Sequence, residues 1–181
     1  MDISIISPFY KGQKYLKQYL NMLENILKDI NYKIEIILVN DSPEIPLIIE
    51  KSILKKFNII IQNNSKNVGI HQSRINGLKI AKGKYIIFLD QDDELLPNSI
   101  QVLLENIQNN DVCIGNGYFG CINDKYLFFQ NNKSGQYTTN ESYFIEIRDF
   151  IVSPGHCLIK KSSIPDEWIK HYKIIRVTLL Y

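Results

Sequence analysis

Four short apolar runs dominate the N-terminal half: ISIIS (3–7), IEIILV (34–39), FNIIIQ (57–62) and YIIFL (85–89). Runs this short, rich in isoleucine and without polar alternation, read as strands buried on both faces of a parallel sheet. Between the first two, Tyr15, Leu16, Tyr19, Leu20, Leu23, Ile26 and Leu27 recur at helical intervals. Pro46 stands at a first-turn position for a short helix predicted over Leu47–Lys55. A third helix is predicted over Ile70–Ala81 with Gly83 as its stop, and Pro97 opens a fourth that carries Ile100, Leu103, Leu104 and Ile107. The alternation βαβαβαβ with short connections predicts an α/β fold: a mainly parallel, Rossmann-like sheet with helices on both faces. Beyond Asp111 the pattern changes. VCIGNGYFG (112–120), KYLFFQ (125–130) and HCLIK (156–160) read as strands, NNKSGQYTTNES (131–142) as loop, and Pro165 as a helix start. This part is predicted to be mixed or antiparallel.

Composition narrows the class. A chain of 181 residues, 45% hydrophobic and 22% charged, fits one globular domain, with residues 1–110 and 111–181 as its two halves. A net charge of +2 with only isolated pairs such as Lys55-Lys56 and Lys160-Lys161 argues against a nucleic-acid partner. The opening MDISIISPFYKGQ lacks the apolar core of a secretory signal, and no apolar run reaches the roughly 20 residues that span a bilayer. Cys113, Cys121 and Cys157 are odd in number and without CxxC spacing, and read as small buried thiols in a reducing compartment. The bias toward Ile, Asn and Lys reads as the codon usage of an AT-rich bacterial genome.

In an open α/β sheet, ligands bind outside the carboxyl ends of the strands. Those ends here carry Pro8-Phe9-Tyr10, Asn40-Asp41-Ser42, Gln62-Asn63-Asn64 with Asn67-Val68-Gly69, and Asp90-Gln91-Asp92-Asp93. The last group is the most telling. In an extended segment Asp90 and Asp92 point to the same side, where two carboxylates repel unless a cation lies between them. Hard divalent ions take oxygen ligands, commonly one or two carboxylates together with diphosphate oxygens. Acids at that place also serve as N-terminal charges for the Pro97 helix. Leu95 stands where the turn glycine of an EF-hand belongs, and no GxGxxG follows the first strand, so both of those sites are excluded.

The N-terminal half resembles the family 2 inverting glycosyltransferases of the GT-A fold. ISIISPFYKGQKYL is similar to that family's first strand and P-x-Y-N loop, and IEIILVNDS to its second strand and acidic turn. NVGIHQSRINGLKIAKGKYIIFLDQDD follows its most specific block nearly position for position, and SPGHCLIKKSSIP resembles an acceptor-side strand. The resemblance implies a nucleotide-diphosphate sugar donor, UDP- before GDP-, a glycan or lipid-linked acceptor, and Mn²⁺ or Mg²⁺. It implies that Pro8 and Tyr10 line the base pocket, that Asp41 bonds the base, and that Asn67, Arg74 and Gln91 lie against the nucleotide. Asp90 then faces the ribose and a metal-bound water, Asp92 ligates the metal, and Asp93 orients them. It also implies a cytoplasmic protein, with attachment at the inner membrane face as a variant of that expectation.

Three departures qualify these expectations. Lys11 replaces the usual Asn after Tyr10. DSPEIP replaces the usual D-G-S-x-D, leaving Glu44 as a substitute for the second acid. The family's general base lies in a further C-terminal segment, and here Asp166 and Glu167 are the only acids after His156. These three are the candidates for the base. A chain short of the family's length, its base and part of its acceptor site lost, is expected, with a homodimer contact over the apolar ending VTLLY as one way to cover it. Two other classes stay open: an inactive donor-binding remnant, and a sugar-phosphate nucleotidyltransferase, which predicts a glycine-rich basic first loop where SPFYKGQ stands.

Overall fold

The computed structural model describes residues 1–121, 124–127 and 154–170, with side chains 119–121, 124, 125 and 167 excepted. The predicted loop 131–142, the end of the KYLFFQ run and the ending 171–181 lie outside the described residues, and with them the expected dimer edge.

Strands β1 (Ile3–Phe9), β2 (Ile34–Asn40), β3 (Ile59–Asn63) and β4 (Tyr85–Phe88) form the parallel part of a six-stranded sheet. Its order is β3-β2-β1-β4-β8-β5, where β5 is Val112–Ile114 and β8 is Cys157–Lys160. Strand β8 runs antiparallel to both β4 and β5. From β1 the chain winds outward through β2 to β3, then crosses back to place β4 on β1's other side. That reversal between β1 and β4 is the switch point at which α/β sheets open a crevice.

Helices cover both faces, as the alternation predicts. On one face α1 (Gln13–Leu27), through Leu16, Tyr19, Leu23 and Ile26, packs with α4 (Ser99–Ile107), through Ile100, Leu103 and Ile107, over Ile3, Ile5, Ile36, Leu38 and Ile87. On the other, α3 (Ile70–Ile80) packs Leu78 against Ile6, Ile37, Val39 and Phe88, and α5 (Asp166–Lys170) adds Trp168 and Ile169. The central strands β1, β2 and β4 are buried on both faces, whereas β3 is partly buried and the edge strand β5 exposes Val112 and Ile114. Glu35 is the exception in charge: it is 1% exposed, yet its carboxylate accepts from Ser4 Oγ at 2.6 Å and from the Lys82 N–H.

Several boundaries differ from the sequence pattern for local reasons. Helix α2 is only Lys51–Lys56, not Leu47–Lys55. The preceding segment is held by side chains: Asn40 Nδ2 donates to Ile45 O, the Ile48 N–H donates to Gln13 Oε1, and Leu47 is buried in the core. Strand β3 starts two residues late because Phe57 closes α2 and Asn58 takes a left-handed φ of 48°. Helix α3 ends at Ile80, where Ala81 turns extended, so Gly83 is not its stop. Glycine at 83 answers a close approach instead: a Cβ there would lie 2.6 Å from Ile3 C and nearer still to the Ser4 nitrogen. Helix α4 starts at Ser99, after Asn98 in a left-handed conformation, rather than at Pro97, and has no acid in its first turn. The predicted strand 112–120 is two strands. Gly115-Asn116-Gly117 breaks it, and β6 (Tyr118–Cys121) leaves the sheet to pair with β7 (Asp124–Leu127).

Candidate donor site

Each parallel strand releases one polar group at the carboxyl rim. The segment after β4 is a turn rather than an extended strand, with the Asp93 N–H donating to Asp90 O at 3.1 Å. Asp90 and Asp92 therefore do not share a side by strand alternation, and the separation of the two carboxylates is solved differently. Arg74, from α3, brings Nη2 to 2.6 Å from Asp90 Oδ1, with both side chains mostly buried. Asp92 is exposed and has no ion-pair partner among the described residues. The acids stand six or more residues before Ser99, too far to act as first-turn charges for α4.

Asp41 is the anchor of the neighbouring loop. It is 3% exposed, and its Oδ1 accepts from Asn64 Nδ2 (2.8 Å) and the Val68 N–H (2.9 Å). Its Oδ2 accepts from the Gly69 N–H at 2.9 Å. Asn64 carries the network onward, donating also to Ser73 Oγ and accepting from Asn76 Nδ2. Gly69, at φ 84°, leads into α3, and exposed Asn67 closes the turn by accepting from the same Gly69 N–H through Oδ1 at 3.1 Å. Three donors on one carboxylate leave one acceptor position of its usual four.

The β1–α1 loop forms the third wall. Pro8 is buried within β1, and Tyr10 beyond it is 47% exposed. Lys11 adopts φ 49°, a left-handed conformation that Asn takes more readily than Lys, and its N–H donates to Ser42 Oγ at 2.8 Å. Gln91 reaches across to this loop: Oε1 accepts from the Tyr10 N–H at 3.1 Å and Nε2 donates to Tyr10 O at 3.3 Å. Glu44 is exposed on the reshaped β2 turn.

Of the base candidates whose side chains are described, only His156 reaches the rim. It precedes β8, whose antiparallel course starts beside the end of β4, and Nδ1 pairs with Gly115 O at 2.9 Å. Burial pulls its pKa below the ordinary value, partly opposed by the Gly115 bond and by the Asp93 carboxylate. Asp166 is exposed and lies 3.5 Å from Lys170 Nζ on its own helix; the side chain of Glu167 lies outside the described residues. One pairing carries no signal in the sequence. His71, in the first turn of α3, meets the ring of Trp168 edge-on at 4.5 Å, and Trp168 lies 5.6 Å from Phe88. Helix α5 is thereby fastened beside the rim.

A hollow of about 70 Å³ lies between Tyr15, Tyr19 and Met22 of α1 and residues 91–94. It is a small annex of the rim, not a pocket for a nucleotide. A larger one, of about 320 Å³, lies near Leu27, Ile34 and Phe57 at the opposite end of the strands and brings no rim residue. Among the described residues no three His, Cys, Asp or Glu side chains gather as a ready-made metal cage. The donor set still fits a hard divalent ion that takes one protein carboxylate plus ligand oxygens, since Asp92 is exposed while Asp90 is already neutralised by Arg74.

A mainly parallel sheet with helices on both faces and an acidic turn at its switch point is a doubly wound α/β domain. The family model of Glycosyl transferase family 2 matches residues 4–168, and the chain belongs to that family. Glycosyltransferase GlyG of Streptococcus pneumoniae is 30% identical over 148 residues, 80% of this chain and 46% of that protein. The dolichol-phosphate mannosyltransferase of Pyrococcus furiosus is 29% identical over 119 residues, 65% of this chain and 34% of that one. The minor teichoic acid biosynthesis protein GgaB of Bacillus subtilis is 31% identical over 161 residues, 87% of this chain and 17% of that protein. Among solved structures, S. aureus TarS 1-349 superposes with a TM-score of 0.51 at 25% identity, over 62% of this chain and 34% of that one. Its complex with UDP-GlcNAc gives 0.50, at 25% identity over 62% and 33% of the two chains. The chain thus spans less than half the length of these relatives. No helix among the described residues is long and apolar enough to cross a membrane.

Proposed function

We propose that this chain is the donor side of an inverting glycosyltransferase. Its reaction moves a sugar from a nucleotide diphosphate, UDP before GDP, to a hydroxyl of a glycan or lipid-linked acceptor, at the cytoplasmic side of the membrane. The turn at Asp90–Asp93 carries this reading: at the sheet's switch point, one carboxylate is neutralised by Arg74 and the next is exposed. Asp92 would hold Mn²⁺ or Mg²⁺, with Asp90 reaching it through water; when bound, the ion neutralises the charge that develops on the departing nucleotide diphosphate.

The remaining residues bind and orient. Tyr10 offers an exposed ring to a base beyond Pro8, and Asp41 keeps one acceptor position for a base N–H. Asn67 and Arg74 close the nucleotide wall from the α3 side, and Gln91 from the side of the acidic turn. Inversion needs a base that takes the acceptor proton on the face opposite the leaving group. His156 suits this best of the three candidates, because burial keeps its ring in the neutral, proton-accepting form near pH 7. A donor-binding chain without its own base is the second reading, favoured by Asp166 being paired with Lys170.

A panel of UDP- and GDP-sugars with Mn²⁺, followed for free nucleotide with and without lipid-linked acceptors, tests the proposal. Acceptor-dependent release of UDP supports it. Binding without release, with every acceptor class, supports the second reading.

A further inference from the structure

We infer that Gln91 is a positioning residue for nucleotide binding: its amide grips the Tyr10 peptide on both sides and fixes the Tyr10 ring for a base. The inference rests on the reading of the rim as a donor site. Tyr10 follows the last residue of β1, and β4 has ended by then, since Ile6 is the last β1 residue paired to it. The Tyr10 peptide therefore has no strand on the β4 side. The Gln91 side chain supplies what a strand would, one acceptor at 3.1 Å and one donor at 3.3 Å, across 81 residues of sequence.

Four further observations belong to the same device. Lys11, next in sequence, holds a left-handed φ of 49°, a conformation the loop must be made to adopt. The two groups that impose it approach from opposite neighbours, Ser42 beyond β2 and Gln91 beyond β4. Gly12 makes room, because a Cβ there would overlap Gln91 Oε1 and lie 2.5 Å from Phe9 Cδ1. Finally, Gln91 stands between Asp90 and Asp92 in the tight turn closed by the Asp93 N–H. One turn thus presents carboxylates to the diphosphate side and, through Gln91, sets the base wall.

The test compares wild type, Gln91→Ala and Gln91→Met in UDP titrations with Mn²⁺ at pH 8. Both variants lose the two bonds to Tyr10, Met while keeping the length of the side chain, and each is expected to weaken UDP about tenfold.

A second readout needs no nucleotide. At pH 8 both variants should be cut by trypsin after Lys11 several-fold faster than wild type. Wild-type UDP affinity and wild-type cleavage in both variants would overturn the inference. Weak UDP binding with unchanged cleavage would make Gln91 a direct ligand contact and overturn it also. If wild type binds no UDP, the donor-site reading fails and the inference with it, even where the cleavage result shows the grip on Tyr10.

Discussion

Arg74 Nη2 and Asp90 Oδ1 lie 2.6 Å apart, joining α3 to the turn after β4 across the switch point of the sheet. Both side chains are less than a quarter exposed, so the pair is shielded from solvent screening. Removing the guanidinium leaves a mostly buried carboxylate beside Asp92 with no counter-charge. Arg74→Ala is expected to cost about 1–3 kcal/mol, read as a lowered urea midpoint at unchanged m-value. Arg74→Lys should recover only part of it, because a point charge on a shorter reach does not replace the planar group.

Asp41 makes a second, independent prediction. Its carboxylate accepts three N–H groups, two from the backbone of the loop before α3. In Asp41→Asn at least one donor faces an amide NH₂, so a loss of about 1–3 kcal/mol is expected. Hydrogen exchange locates the effect: the Val68 and Gly69 amides should exchange faster, while those of β1 and β2 slow or quicken only with global stability.

Close packing at Gly83 predicts a steric failure. A Cβ at this position would meet the Ser4 nitrogen and Ile3 C, both backbone atoms of a buried central strand that cannot move aside. Gly83→Ala should destabilise by at least about 1–3 kcal/mol, measured by thermal or urea unfolding. Gly77→Ala meets the Ile6 and Val39 side chains instead, which have some freedom to repack, and is expected to cost less.

The two rim histidines set a pH dependence. Burial lowers the pKa of both His71 and His156 in the folded state. Between those lowered values and the ordinary value of about 6.5 the unfolded chain binds more protons, so stability rises with pH in that window and falls on acidification through it. Urea midpoints should therefore drop between pH 7 and pH 5. His71→Gln should flatten part of that slope. Trp168, the single tryptophan, lies on His71 and reports the same titration by fluorescence.

Much of the fold was legible because isoleucine-rich runs and helical periodicity are local signals. The four parallel strands, the helices on both faces and the change to antiparallel pairing beyond Asp111 all follow from them. What the pattern missed depends on contacts distant in sequence. The late starts of α2 and α4 come from side chains that hold the preceding residues, and from left-handed Asn98, rather than from the prolines beside them. Gly83 looks like a helix stop until Ser4 is placed against it. At the site, the acidic cluster marked the right rim, but its carboxylates were expected along a strand and stand on a turn. Nothing in DQDD announces that Gln91 would reach the Tyr10 peptide, or that Asp90 already has its cation in Arg74.

The proposed donor site binds its nucleotide through a divalent ion on the exposed carboxylate of Asp92. Calorimetric titration of UDP into wild type and Asp92→Asn, each with and without Mn²⁺, measures this. UDP should bind wild type only with Mn²⁺ and not bind Asp92→Asn, with the variant's urea midpoint unchanged. UDP binding indifferent to both Mn²⁺ and the substitution, or no binding by a folded wild-type chain, would refute a metal-dependent donor site.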